Sequence, residues 1–458
     1  MQRDQLGNPV TGQREDTLRA IDDFVGGYLS YETRAENIVR AAEADPDSCL
    51  ANTYAGILWM LLEAPEAGRR AAKYLAAAEH SAPPATRREQ LNTALLRAWV
   101  DDDAQLAMRL GDQTADEFPR DLVVVKTQQY FEFNRGDAPA MLRTALKVAS
   151  ANADIPYFHG MAAFAYEQCH LLEEAESAAC TALAMRRKEP WAQHALAHVL
   201  LTRGRVDEGA RFLEEAADTW TQLNSFMLTH LWWHVALFYL SQGRDGEALR
   251  LYDERCWGVA KDYSQDQIGA VSLLARLEIA GIDVGSRWQD LADHLEARTD
   301  DTLQPFPTLQ YLYGLARAGR SQAEALLESV RRRASCAPDF SRAVWQEVAL
   351  PGCEGLYAYA QGDYARAWDR LAVAVPRMRE AGGSHAQRDL FEQILLDAAI
   401  RTRRLTDAQQ MLELRRNADP NGVPVNAALA AVYSKLGLDA LADQARSRAA
   451  LTRFRHST

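Results

Sequence analysis

The chain is short of basic charge: 51 Lys and Arg stand against 63 Asp and Glu, a net charge of −12 over 458 residues. Nucleic acid and anionic membrane surfaces both demand a basic footprint, so neither is expected as a partner. No apolar run is long enough to span a bilayer, and the start MQRDQLGNPVTGQRED has no basic-then-apolar leader, which predicts a cytoplasmic protein. Cysteines are few and scattered. Cys49, Cys169, Cys180, Cys256, Cys336 and Cys353 show no CxxC or other ligand spacing, which argues against a disulfide framework or a cysteine zinc site. Cys256, in DERCWG, is the one thiol placed where a nucleophile would be of interest. Serine-elbow and phosphate-loop motifs are missing too, which argues against acyl-enzyme chemistry through GxSxG and against nucleotide triphosphate use. Low-complexity tracts are absent, and the Arg-rich, Ala-rich usage points to a high-GC bacterial source.

What the chain has is helical periodicity almost from end to end. Small residues recur at Ala163, Ala175 and Ala182, and 34 positions later at Ala197, Gly209 and Ala216; after an insertion they return at Ala236 and Ala248. Turns carrying glycine separate the helices of each pair at Gly136, Gly204, Gly243, Gly319, Gly362 and Gly437. A 34-residue unit with small residues where two antiparallel helices cross is the tetratricopeptide pattern. Each unit buries its apolar face only against its neighbours, so an all-α, tetratricopeptide-like α-solenoid is predicted, a right-handed superhelix of antiparallel helix pairs. Repeat starts fall near 122, 156, 190 and 229, then near 267, 305, 348, 389 and 423. Residues 1–121 read as divergent helical repeats, 122–255 as the central repeats, and 256–458 as C-terminal repeats closing the superhelix, in one continuous body.

Four of the ten histidines lie within residues 194–234, where an even spread would put about one. They form two i,i+4 pairs, His194 with His198 in WAQHALAH and His230 with His234 in HLWWH. Residues four apart share a helix face with Cβ atoms roughly 5–6 Å apart, so each pair is a ready bidentate ligand or acid/base couple. In tetratricopeptide arrays the first helix of each pair lines the concave wall. That geometry directs Lys126 and Tyr130 inward from the repeat at 122, and Tyr157, Phe164 and Glu167 from the repeat at 156. Trp191, His194 and His198 follow from 190, and His230 and Trp233 from 229, with His234 one step aside. Near the far end Gln393, Asp397 and Arg401 face inward, close to Arg388.

KEPWAQHALAHVLLTRGRVDEGARFL and HLWWHVALFYLSQGRDGEALRLYDE resemble the tetratricopeptide repeat protein 38 family. So do DQLGNPVTG, KDYSQDQIGAVSLLARLEIAGIDVGSRW and GGSHAQRDLFEQILLDAAI. The resemblance spans nearly the whole chain and implies a divergent all-helical repeat protein without bringing a reaction. It also implies that His194, His198, His230, His234, Trp191, Glu167 and the His385–Gln387–Arg388–Asp389 segment belong to a shared pattern. The stretch PFPTLQYLYGL departs from it, with Thr308 and Gln310 where Asp and His are expected.

Two function classes follow. In the first, a concave aromatic pocket walled by Trp191, Trp233, Tyr157, Phe164 and Tyr130 takes a small-molecule substrate. His194, His198, His230, His234 and Glu167 then perform acid/base work or hold a metal that activates water. Three imidazoles (His194, His198, His230) with an open fourth position suit catalytic zinc, and two with a carboxylate suit zinc or iron. Hydrolysis of an amide, ester or lactam is the leading expectation, with a metal-free hydrolase or lyase beside it. Lys126, Arg388, Gln393 and Asp397 complete the expected substrate-binding set, and a homo-oligomer is compatible. In the second class the array is a non-catalytic scaffold for a peptide or partner protein, or a carrier without chemistry.

Overall fold

The computed structural model describes residues 2–12 and 14–456. Apart from a small antiparallel pairing of Gln2–Arg3 with Pro9–Val10, the regular structure of the described residues is helical. The fold is a tetratricopeptide-type α-solenoid. Successive first helices begin at Arg87, Leu122, Pro156 and Pro190, so the unit repeats every 34 or 35 residues. The chain forms two compact units, Met1–Leu196 with Asp218–Met227, and Ala197–Ala217 with Leu228–Thr458. No helix among the described residues is long and apolar enough to cross a membrane.

In unit 1 three successive helix starts are set by aspartates. Asp103, Asp121 and Asp137 each accept a hydrogen bond from the backbone N–H three residues on, satisfying a donor that the first turn leaves open. The pair Leu122–Asn134 and Ala138–Val148 is joined by a turn in which Gly136 has φ 68°, a left-handed conformation that glycine adopts without steric penalty. The N-terminal helix Glu15–Ser30 packs on Leu122–Asn134, where the Tyr28 hydroxyl and Thr127 Oγ1 are 3.1 Å apart. A buried guanidinium ties this end together. Arg88 donates to Asp121 Oδ2 at 3.0 Å and to the Pro9 carbonyl at 3.1 Å, with Asp4 at 3.4 Å. The segment 218–227 joins the same unit through Thr33 N–H to the Gln222 carbonyl (2.9 Å) and Asn224 N–H to the Tyr31 carbonyl (2.7 Å).

In unit 2 the small residues do what the period predicts. Ala197, Ala236 and Ala248 are fully buried, and a Cβ on Gly209 would lie 2.3 Å from the Phe238 ring. Helices Val206–Ala216 and Ser225–Gln242 therefore approach too closely for any larger residue there. The last helices return to the first ones of the unit. Ser241 donates to Asp419, His456 Nε2 lies 3.2 Å from Asp207, and Arg453 lies 3.4 Å from Asp245. Across the interior, Arg276 of Ser264–Ile279 donates to the Ala386 carbonyl at 2.7 Å, linking that helix to His385–Arg401.

Candidate functional sites

Unit 2 gathers imidazoles. His198 lies on Pro190–Thr202, His230 and His234 on Ser225–Gln242, and His385 opens His385–Arg401 behind a capping box in which Ser384 and Gln387 bond each other's backbone N–H. The first three are buried, and His385 is half-buried. Ring centroids are 4.6 Å apart for His198 and His234, 4.9 Å for His230 and His234, and 5.7 Å for His198 and His385. One nitrogen from each of His198, His230 and His234 falls within 4.8 Å of the others. Trp233 stacks on His230 at 5.1 Å with the planes 9° apart. Burial, helped by the nearby His198, lowers the His230 pKa to about 3, so its imidazole is neutral at physiological pH.

Beside this cluster sits an ionic group that spacing alone does not announce. The Arg276 guanidinium lies 5.4 Å from the Trp233 ring and 3.8 Å from Asp389. Asp389 also accepts from Arg415, and from Gln393 Nε2 at 2.6 Å. Burial pushes the Asp389 carboxyl up, but Arg415 and Arg276 outweigh it and hold the pKa at about 2. Gln393 thus orients Asp389. Arg388 donates to the Gly383 carbonyl, while Asp397 accepts from Arg401 and, at 2.6 Å, from the Tyr359 hydroxyl. Thr308 bonds the Asp301 and Gln304 carbonyls at 2.9 and 2.8 Å and so serves its own helix, and Gln310 is buried. Cys256 is buried, and burial pushes its thiol up, away from nucleophilic thiolate character.

Unit 1 gathers aromatic rings and cations. His194, on the portion of Pro190–Thr202 that belongs to this unit, stacks on Trp191 at 4.5 Å and lies 5.2 Å from Phe164. Trp191 is 5.0 Å from Tyr31, which is 5.7 Å from Phe226. Tyr31 ends its helix with φ 57°, an uncommon conformation for a side-chain-bearing residue, and its ring lies 3.5 Å from Lys126 Nζ. Lys126 donates to the Tyr28 and Leu29 carbonyls at 2.7 and 3.1 Å. Burial lowers its pKa to about 7, and burial raises that of Glu189 to about 7 against the pull of Arg186 and Lys126. Glu167 is buried and accepts from Gln168 at 2.6 Å. Tyr130 packs with Trp99 and Phe131 at 5.4 and 5.7 Å.

The feature of unit 1 not foreseen is a carboxylate ringed by cations. Glu32 accepts from Arg34 at 2.6 Å and Arg186 at 2.8 Å, with Lys188 Nζ at 3.2 Å. Its side chain is 8% exposed, whereas those of Arg34, Arg186 and Lys188 are 35%, 24% and 29% exposed. Tyr157 lies against this rim, its ring 5.1 Å from the Arg186 guanidinium. Burial raises the Glu32 pKa, but the three cations outweigh it and leave the carboxyl below its ordinary value. The sequence signal, MRRKEP at 185–190, reads locally as a solvated loop charge. Only the fold brings it to Glu32, 154 residues away from Arg186.

No protein-family model matches this chain. Among solved structures it is similar to the human IFIT1 dimer with PPP-AAAA, at 12% identity over 96% of this chain and 95% of that one, TM-score 0.42. It is also similar to the APC/C hetero-tetramer Cut9-Hcn1, at 13% identity over 95% and 87%, TM-score 0.30, and to Naa15/Naa10 bound to HypK-THB, at 11% over 94% and 68%, TM-score 0.25. These are likenesses of fold and carry no ligand over to this chain. They do correct the expectation of small-molecule partners to the exclusion of nucleic acid. The structures resembling this chain include one with PPP-AAAA and others assembled with proteins. The physical reason is that a net charge of −12 describes the whole chain and not a local patch such as the cations around Glu32.

Proposed function

We propose that this chain is a tetratricopeptide-type binding scaffold whose unit 1 recognises a partner protein through a carboxylate-bearing segment. The observation that supports this reading is the placing of charge around Glu32: Glu32 is buried, and the three cations that hold it reach outward. Two further carboxylates reach this group: Asp23 lies 4.0 Å from Arg34, and Glu189, whose raised pKa leaves it partly protonated near neutrality, contacts Arg186 at 3.3 Å. Arg34, Arg186 and Lys188 keep part of their side chains exposed beside half-buried Tyr31, Trp191 and Phe226. Tyr, Trp and Arg at one place is the composition of a protein-binding hot spot, with the rings supplying area and the cations direction. A partner segment with Asp or Glu next to an aromatic or aliphatic side chain matches both halves. Charge-assisted hydrogen bonds contribute about 1.5–3 kcal/mol each when desolvated, and less at an exposed rim.

The imidazole cluster of unit 2 supports a second role, in binding or acid/base chemistry, through the neutral His230 beside His198 and His234. Nothing in the geometry adds to hydrolysis in particular. Membership of the tetratricopeptide repeat protein 38 family is part of the same proposal, resting on the HALAH and HLWWH segments.

Fluorescence anisotropy with a short labelled peptide rich in Asp and Glu and carrying one Phe tests the scaffold reading. Binding is expected to be saturable, weaker at high salt, and several-fold weaker in Arg186→Gln or Lys188→Ala. Absence of binding, or equal binding of a Lys-rich peptide of the same length, would overturn it.

A further inference from the structure

We propose that His198, His230 and His234 form a binding site for one divalent transition-metal ion within unit 2. This goes beyond the scaffold reading and is independent of it, because it uses none of the residues around Glu32.

The argument begins with the chain. His230 and His234 are one turn apart on a single helix, so their rings project from one face. His198 comes from the neighbouring inner helix, and the three donor nitrogens lie within 4.8 Å of one another. Nitrogens bound tetrahedrally to zinc at about 2.0–2.1 Å stand roughly 3.3–3.4 Å apart. The contraction needed is of order 1 Å per pair, within the reach of small χ rotations. The three side chains are 0%, 7% and 0% exposed, so the site is already desolvated and an ion would not compete with a full hydration shell.

An ordinary apolar core gives no reason for three imidazoles to meet. Aliphatic residues at 198, 230 and 234 would fill the same space without the cost of burying polar nitrogens. The surrounding groups limit what the ion is. Trp233 stacked on His230 fixes that ring, and Arg276 pairs with Asp389, which also holds Arg415. Among the described residues of unit 2 no carboxylate is grouped with the three nitrogens, so hard oxygen-seeking ions such as Mg²⁺ and Ca²⁺ are poorly suited. An all-imidazole set suits Zn²⁺, Co²⁺, Ni²⁺ or Cu²⁺. His385, 5.7 Å from His198 and half-buried, stands at the edge of the cluster as the candidate for a fourth ligand.

The test uses the full chain, freed of metal with a chelator and titrated with Co²⁺ alone. The expected result is one equivalent bound with the visible d–d absorption of a low-coordinate nitrogen site, displaced by Zn²⁺ and not by Mg²⁺. His198→Gln, His230→Gln and His234→Gln should each weaken binding at least tenfold, while His80→Gln, an exposed control, leaves it unchanged. The wild-type titration decides even if a variant fails to fold. No stoichiometric Co²⁺ or Zn²⁺ binding, or binding that survives all three substitutions, would overturn the proposal. Failure here with intact acidic-peptide binding would remove the metal site and leave the scaffold reading standing.

Discussion

Replacing Arg276 with Met removes the buried guanidinium that ties Ser264–Ile279 to His385–Arg401 while keeping most of its volume. Five polar interactions go with it: the hydrogen bonds to the Ala386 carbonyl at 2.7 Å, the Gln387 carbonyl at 3.4 Å, the Ser272 carbonyl at 3.2 Å and the Ser272 hydroxyl, and the attraction to Asp389 at 3.8 Å. At an effective dielectric near 20 that attraction is roughly 4 kcal/mol gross. Much of it is offset by the desolvation of Arg276 itself, whose pKa burial lowers to about 10 against the pull of Asp389. Breaking a buried pair and stranding an accepting carbonyl costs about 3–5 kcal/mol; Arg415 stays beside Asp389, so about 3 kcal/mol is expected. Urea unfolding followed by tryptophan emission is the assay, since Trp233 lies 5.4 Å from the lost group. The same ion group sets an acid limit. The Asp389 pKa is depressed from 3.8 to about 2, so its stabilisation is present above about pH 4 and lost as pH falls through about 2. That shift is worth about 2 kcal/mol, and the acid sensitivity should shrink in Arg276→Met. An Arg276→Met protein with wild-type urea midpoint and unchanged acid unfolding would refute the reasoning.

Gly209→Ala should destabilise unit 2 by about 2 kcal/mol or more, since the added Cβ meets the Phe238 ring at 2.3 Å; a thermal melt unchanged within error would contradict the close helix crossing. Arg403 occupies a left-handed turn position (φ 60°) of the kind glycine fills at Gly136 and Gly204. Arg403→Gly should therefore raise stability by about 0.5–1 kcal/mol, and a lower melting temperature would count against that assignment of strain.

The architecture was legible because packing imposes a period. Starts expected near 122, 156, 190, 305 and 423 coincide with helices opening at Leu122, Pro156, Pro190, Pro305 and Val423. Where the expectation slips, a local cap decides. The helix expected near 389 opens at His385, because Ser384 and Gln387 form a capping box that small-residue spacing does not reveal. The i,i+4 histidine pairs were equally legible, since helical spacing alone puts them on one face. Lys126 is buried, and the carbonyls of Tyr28 and Leu29 that hold it belong to a helix nearly a hundred residues earlier, a placing its own surroundings in the sequence do not reveal. The cations around Glu32 and the Arg276–Asp389–Arg415 group escaped for the same reason. Each joins residues distant in sequence whose local surroundings look like solvated helix or loop charge.

The most direct measurement is a charge swap at the rim of unit 1. Lys188→Glu, verified as folded by circular dichroism, is titrated with matched acidic and basic peptides in low salt. The account predicts that affinity for the acidic peptide falls at least several-fold and that preference shifts toward the basic one. An unchanged preference for the acidic peptide, at wild-type affinity, would contradict it.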